Sequence, residues 1–187
     1  EATCLYFPLV LGAYISISLM KIPDLSIETA YVCGGIFGSL TLFATSGLPL
    51  FVSLPLILLA SMVGGMAVGA TASLFTHQAR FPHLLSSIIT IGIFHGLNQF
   101  FLGSTNISVA QEPNVLGLLD VSRRFPELPE FIIALLFFGS LAFFFFRTQL
   151  GTSLAVYGNN PSFFENYGIS TKYIFFIGIM LSSGLAG

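Results

Sequence analysis

His95, Asn98 and Gln99 stand at i, i+3 and i+4 in a stretch otherwise built from Ile, Phe, Leu and Gly. That spacing puts three hydrogen-bonding groups on one face of a helix. In an apolar helix such groups either hold a neighbouring helix or line a wet path for a polar or zwitterionic small molecule. The sequence leaves both readings open. A second polar group is "KIPDLSIE", Lys21 to Glu28, where Pro23 interrupts an apolar run and Asp24 and Glu28 follow. It reads either as a plain polar turn or as a broken helix near a pathway, with freed backbone groups facing a solute. His77 and His83 flank Arg80 in one short connection. Two histidines without a third ligand make a weak metal site, so this reads as a solvated loop. There is no GxxxxGK[ST] loop, no GxGxxG opening a helix after a strand, no GxSxG and no HExxH. Neither nucleotide binding nor hydrolysis has a visible home, and no catalytic residue, metal or cofactor is expected.

The most structured polar segment is "AVYGNNPSFFENYGIS", Ala155 to Ser170. Gly158 is suited to end one helical turn, and Asn159, Asn160 and Pro161 to begin another. Ser162 to Tyr167 then reads as a short helix with Phe163, Phe164 and Tyr167 along one side and Glu165 among them. Gly168 stops it before the next apolar run. A short helix with an aromatic face serves as a rigid knob for a partner's groove or as an interfacial helix on lipid headgroups.

The elements that carry these residues follow from composition. Of the 187 residues 55% are hydrophobic and 7% charged, with mean hydropathy +0.91. Soluble domains carry about 25% charged residues, so lipid must be part of this chain's solvent. Apolar runs cover Ala2–Met20, Thr29–Thr45, roughly Leu48–Phe75, Leu84–Leu102, Phe131–Phe146 and a run starting at Ile174. No sustained strand-like alternation occurs, and helices or closed barrels alone satisfy the backbone in lipid. The expected fold is all-α: a polytopic transmembrane bundle of about six spans, one domain over residues 1–187. The first residue is Glu1 and the last apolar run stops at Gly187, which reads as a chain truncated at its C-terminus. Small residues four apart (Gly34 and Gly38, Ala60 and Gly64, Gly65 and Gly69, Gly92 and Gly96) predict closely packed helices. Cys4 and Cys33 lie in apolar runs and read as buried packing thiols. Asn106-Ile107-Ser108 is formally a glycosylation sequon but carries little weight. Net charge is −2 with no basic tract, which excludes nucleic acid as a partner class. Alternating topology groups Lys21, Arg80, Arg147 and Lys172 on one side, against Arg123 and Arg124 in the long loop Gly103–Glu130. The positive-inside rule then places residues 147–173 in the cytoplasm.

Four stretches, in order, carry a resemblance: "LGAYISISLMKIPDLSIE", "TIGIFHGLNQFFLGSTNISV", "LGTSLAVYGNNPSFFENYGIS" and "GIMLSSGLAG". Together they resemble the permease subunit of bacterial ABC importers, in the branched-chain amino acid and ribose-type family, most nearly its tryptophan-uptake-like subgroup. The resemblance implies that Gly158 to Gly168 (Gly158, Asn159, Asn160, Pro161, Phe163, Phe164, Glu165, Tyr167, Gly168) is a coupling segment gripped by a cytoplasmic ATPase subunit. It implies a second permease chain, an external solute-binding protein and a place in the bacterial inner membrane. Ala155, Glu165 and Thr29 depart from the family's usual residues. The candidate pathway residues are Asp24, Glu28, His95, Asn98 and Gln99. The competing class is a self-contained secondary transporter or channel, for which His95 is the clear ionisable candidate within a span. A third is a membrane scaffold whose loops only bind partners.

Overall fold

The computed structural model describes residues 6–45, 49–102 and 128–187. Cys4, the Asn106 sequon and the long loop with Arg123 and Arg124 lie outside the described residues. The first apolar run forms α1, Phe7–Ala13, which widens without a break into a π-helical stretch, Tyr14–Leu19. Pro8 sits in the first turn, where its missing N–H costs nothing. The break falls where Pro23 predicts it. Lys21 takes a left-handed φ of 56°, and Pro23 disfavours a helical Ile22. The chain re-enters as α2, Ile27–Ala44, followed by α3, Leu50–Gln78, and α4, His83–Leu102. Then come α5, Leu128–Arg147, α6, Gln149–Asn159, the short α7, Ser162–Asn166, and α8, Thr171–Ala186.

Every described apolar run is helical, and no strand occurs among the described residues. Among the described residues three helical stretches, Ile27–Ala44, Val52–Gln78 and His83–Leu102, are long and apolar enough to cross a bilayer, and a fourth if the bent pair α5–α6 is one span, against about six expected. Phe7–Leu19 and Thr171–Ala186 are apolar but shorter. At about 1.5 Å per residue a helix needs about 20 residues to cross a hydrocarbon core of about 30 Å. The 29 residues of α3 exceed it, and such a helix tilts or protrudes.

The bundle is the inverse of a soluble domain. Large side chains such as Val10, Leu59, Phe100 and Phe144 face outward, whereas Ser16, Ser73, Ser86, Ser87, Thr90, Ser182 and Ser183 are fully buried. Small residues between helices let backbones approach closely, and this supplies packing where lipid offers no hydrophobic drive. Central α8 packs on α1, α2 and α3. Ser182 Oγ donates to the Gly12 carbonyl at 2.7 Å, and Gly65 and Gly69 bring α3 against Ser183 and Ile179. The expected close approach at Gly92 and Gly96 is not made among the described residues, where both open onto free space. The reason is that α4 turns that side away from α2 and α3. Gly69→Leu is therefore expected to cost about 1–3 kcal/mol by overpacking and to lower the melting temperature in detergent. Gly92→Leu is expected to leave it unchanged in the same assay.

Among the described residues two clusters form the core. One is Ile15, Met20, Leu154, Phe175 and Ile179. The other is Ala30, Cys33, Val68 and Phe94, with Cys33 a buried free thiol as expected.

Candidate functional site

The chain bends sharply at Thr148. The stretch Leu135–Arg147 and α6 meet at 69°, so α6 does not continue the preceding helix. Thr148 makes the corner by capping α6: it adopts an extended backbone, and its side chain accepts from the Gly151 N–H at 3.3 Å. α6 then crosses the end of the bundle and anchors itself through Leu154, which is buried against Met20 and Phe175. At its far end Gly158 lies against the Leu19 and Met20 backbone, so closely that a Cβ would overlap the Leu19 carbonyl. Beside it, Lys21 Nζ donates to Asn159 Oδ1 at 2.7 Å.

Asn160 and Pro161 turn the chain into α7, and Gly168 ends the segment with φ +72°. The three aromatics do not share one face. Phe164 is 6% exposed and turned inward, whereas Phe163 is 43% and Tyr167 70% exposed. Positions i and i+4 lie on one side of a helix and i+1 does not. The outward pair is thus Phe163 and Tyr167, whose ring centroids stand 4.8 Å apart. Glu165, Asn159 and Asn160 are exposed around them.

The turn 20–26 is not a plain polar turn. Asp24 is 5% exposed, and its Oδ1 accepts from the Ser26 N–H at 2.8 Å and Ser26 Oγ–H at 2.7 Å. His83 Nε2 lies 3.7 Å from the same oxygen, and His83 Nδ1 is 3.0 Å from Thr76 Oγ1. His83 and His77 both meet the Phe175 ring edge to face, at 4.8 Å for His77 and 5.2 Å for His83. The solvated-loop reading of His83 is corrected here: its side chain is 8% exposed because α8 and the 20–26 turn cover it. No group of three or more His, Cys, Asp or Glu is placed for a metal among the described residues.

Burial raises the Asp24 pKa, but the His83 side chain and both Ser26 donors outweigh it and hold the carboxyl below its usual 3.8. A lowered folded pKa means a contribution that is whole above the unfolded value of 3.8. It is lost as pH falls through the lower folded value. Asp24→Asn is expected to remove that acid limb and to cost about 1–3 kcal/mol at neutral pH, read from melting temperature against pH in detergent.

The fourth-span residues separate. Asn98 is 6% exposed and faces the bundle, while His95 and Gln99 are exposed. The single polar face becomes one inward amide and an outward His–Gln pair at i and i+4. Glu28 is likewise exposed and apart from buried Asp24. The contacts Lys21–Asn159, Asp24–His83 and Thr76–His83 gather the 20–26, 79–82 and 159–168 connections at one end of the bundle. Lys21, Arg80 and Lys172 therefore share that end, as the charge grouping expected. Sequence reasoning missed the Asp24–His83 pair. Its one local sign is that His83 lies seven residues after Thr76, across the α3–α4 turn.

The family described as branched-chain amino acid transport system / permease component matches residues 2–187. A Clostridioides difficile (strain R20291) protein named tyrosine transport system permease protein is 26% identical over 180 residues, covering 95% of this chain and 56% of its own. An uncharacterized protein of Rickettsia prowazekii (strain Madrid E) is 28% identical over 187 residues, covering 100% of this chain and 62% of its own. The chain thus spans about three fifths of the curated relatives it matches. No solved structure matches it.

Proposed function

Because this chain belongs to the family of permease components of branched-chain amino acid transport systems, we propose that it is the transmembrane subunit of an ATP-driven importer in a bacterial inner membrane. Its solute is an amino acid or a molecule of similar size; the relative named for tyrosine transport supports that class. The observation that carries the reading is the α6–α7 segment. It begins with α6 meeting the preceding helix at 69°, is anchored by Leu154, Gly158 and Asn159, and shows Phe163 and Tyr167 to the outside. That is the form of a rigid aromatic knob for a partner's groove.

In this mechanism an ATPase subunit grips residues 158–168, and ATP binding moves the knobs of two permease chains. The rigid helices then rock between outward and inward openings, ATP binding biasing a two-state bundle. A solute-binding protein delivers solute on the opposite side. Asn98 is the inward amide on α4 offered to the solute path, and the exposed His95–Gln99 side is where a second copy adds its wall.

The test is purification of the full-length protein from its native membrane in mild detergent, with mass spectrometry of what stays bound. An ABC-type ATPase subunit is the expected companion. A chain that emerges alone, or only with itself, overturns the reading in favour of a secondary transporter, with His95 the next residue to change.

A further inference from the structure

The 20–26 turn is fastened at both ends, to two different parts of the molecule. At one end Lys21 holds Asn159, and the Leu19–Met20 backbone is pressed on Gly158. Met20 is buried with Leu154 and Phe175. At the other end Asp24 faces His83, which also meets Thr76. Thr76 closes α3 and His83 opens α4, so this end grips both helices at their turn.

The second fastening engages both ring nitrogens of His83. Nδ1 stands 3.0 Å from Thr76 Oγ1, whose hydroxyl also lies 2.9 Å from the Ala72 carbonyl. Nε2 stands 3.7 Å from Asp24 Oδ1, an ion-pair distance longer than a hydrogen bond.

We propose that residues 20–26 are a strap that passes motion of the α6–α7 knob to the α3–α4 turn, with Asp24 and His83 as the positioning pair that fastens it. This rests on the importer reading. A knob joined to the bundle only through α5 and α8 would reach α3 and α4 only by way of α8's packing on α3. The strap gives them a direct connection, through contacts between groups that are themselves packed.

The experiment uses the full-length protein reconstituted with its ATPase and solute-binding protein, scoring solute taken up per ATP hydrolysed. ATP-driven uptake by the native protein is measured first, and its absence overturns the importer reading itself. Asp24→Asn and His83→Gln are each expected to lower uptake per ATP roughly tenfold while the ATPase stays bound and active. The double variant is expected to be no worse than either single one, since both remove one link. Unchanged coupling in the single variants, or additive losses, overturns the strap. A second arm does not depend on burying an altered charge. With Cys4 and Cys33 replaced by alanine, exposed Lys21 and Asn159 are changed to cysteine and joined by a short bis-maleimide. The unlinked protein is expected to couple poorly and the linked protein to recover, because strap and knob move as one body. A link that lowers uptake further shows that they slide past each other and overturns the proposal.

Discussion

Replacing Phe163 and Tyr167 together by aspartate is expected to release the ATPase subunit and to lower ATP-driven uptake by about a thousandfold. The magnitude follows from two buried aromatic anchors at about 2 kcal/mol each, with roughly 1.4 kcal/mol per tenfold in affinity. Both side chains are exposed in the chain alone, Tyr167 at 70%, so the bundle loses little when they change beyond the Phe163 ring against Phe164. Melting temperature in detergent is expected to stay within a degree or two of native, as for surface substitutions. Phe164→Asp separates the two roles. It places a carboxylate where a ring is 6% exposed, and it is expected to destabilise the segment itself. Uptake by the Phe163/Tyr167 double variant at native rate, with the ATPase still bound, would show that the knob lies elsewhere. The measurements are co-purification, uptake in proteoliposomes and melting temperature on the same preparations.

What was legible in the sequence depended on how local its cause was. α2, α3 and α4 follow from uninterrupted apolar runs, and the break after Leu19 from Pro23. Gly168 at φ +72° follows from the residue type that tolerates a left-handed backbone. The 69° bend was not legible because "FFFFRTQLG" contains no proline and its glycine comes after the corner. The turn is made by Thr148 capping the next helix, a signal that an apolar-run reading passes over. Phe164 pointing inward was legible in principle, since adjacent helical positions cannot share a side. The Asp24–His83 contact was not. It joins two connections separated by two long helices, and only the packing of α8 over both histidine rings shows that His83 leaves water. Likewise Gly92 and Gly96 have the same spacing as Gly65 and Gly69. Spacing says that a helix can be approached closely, and the rest of the fold decides whether anything approaches it.

Gly158→Val is expected to be the most damaging single substitution in the 158–168 segment. The atoms its Cβ would meet are the Leu19 carbonyl and the Met20 backbone, and a backbone cannot swing aside as a side-chain tip can. Either α6 retreats or the Tyr14–Leu19 stretch unwinds. Both break the Lys21–Asn159 hydrogen bond and loosen Leu154 from Met20. Overpacking of this kind costs about 1–3 kcal/mol or more, and here it falls on the joint between the knob and the bundle. Uptake is expected to fall about a hundredfold, as for a gate misplaced by an ångström, and the ATPase to bind less well because the knob is reoriented. Gly168→Asn provides the contrast. Its backbone is left-handed, a Cβ there meets nothing within 4 Å, and asparagine tolerates that conformation better than other side chains. Near-native uptake is expected from Gly168→Asn. If Gly158→Val transports as well as Gly168→Asn does, α6 is not seated on the Leu19–Met20 backbone in the working protein, and the contact that sets the knob's angle must be sought at the Thr148 corner instead.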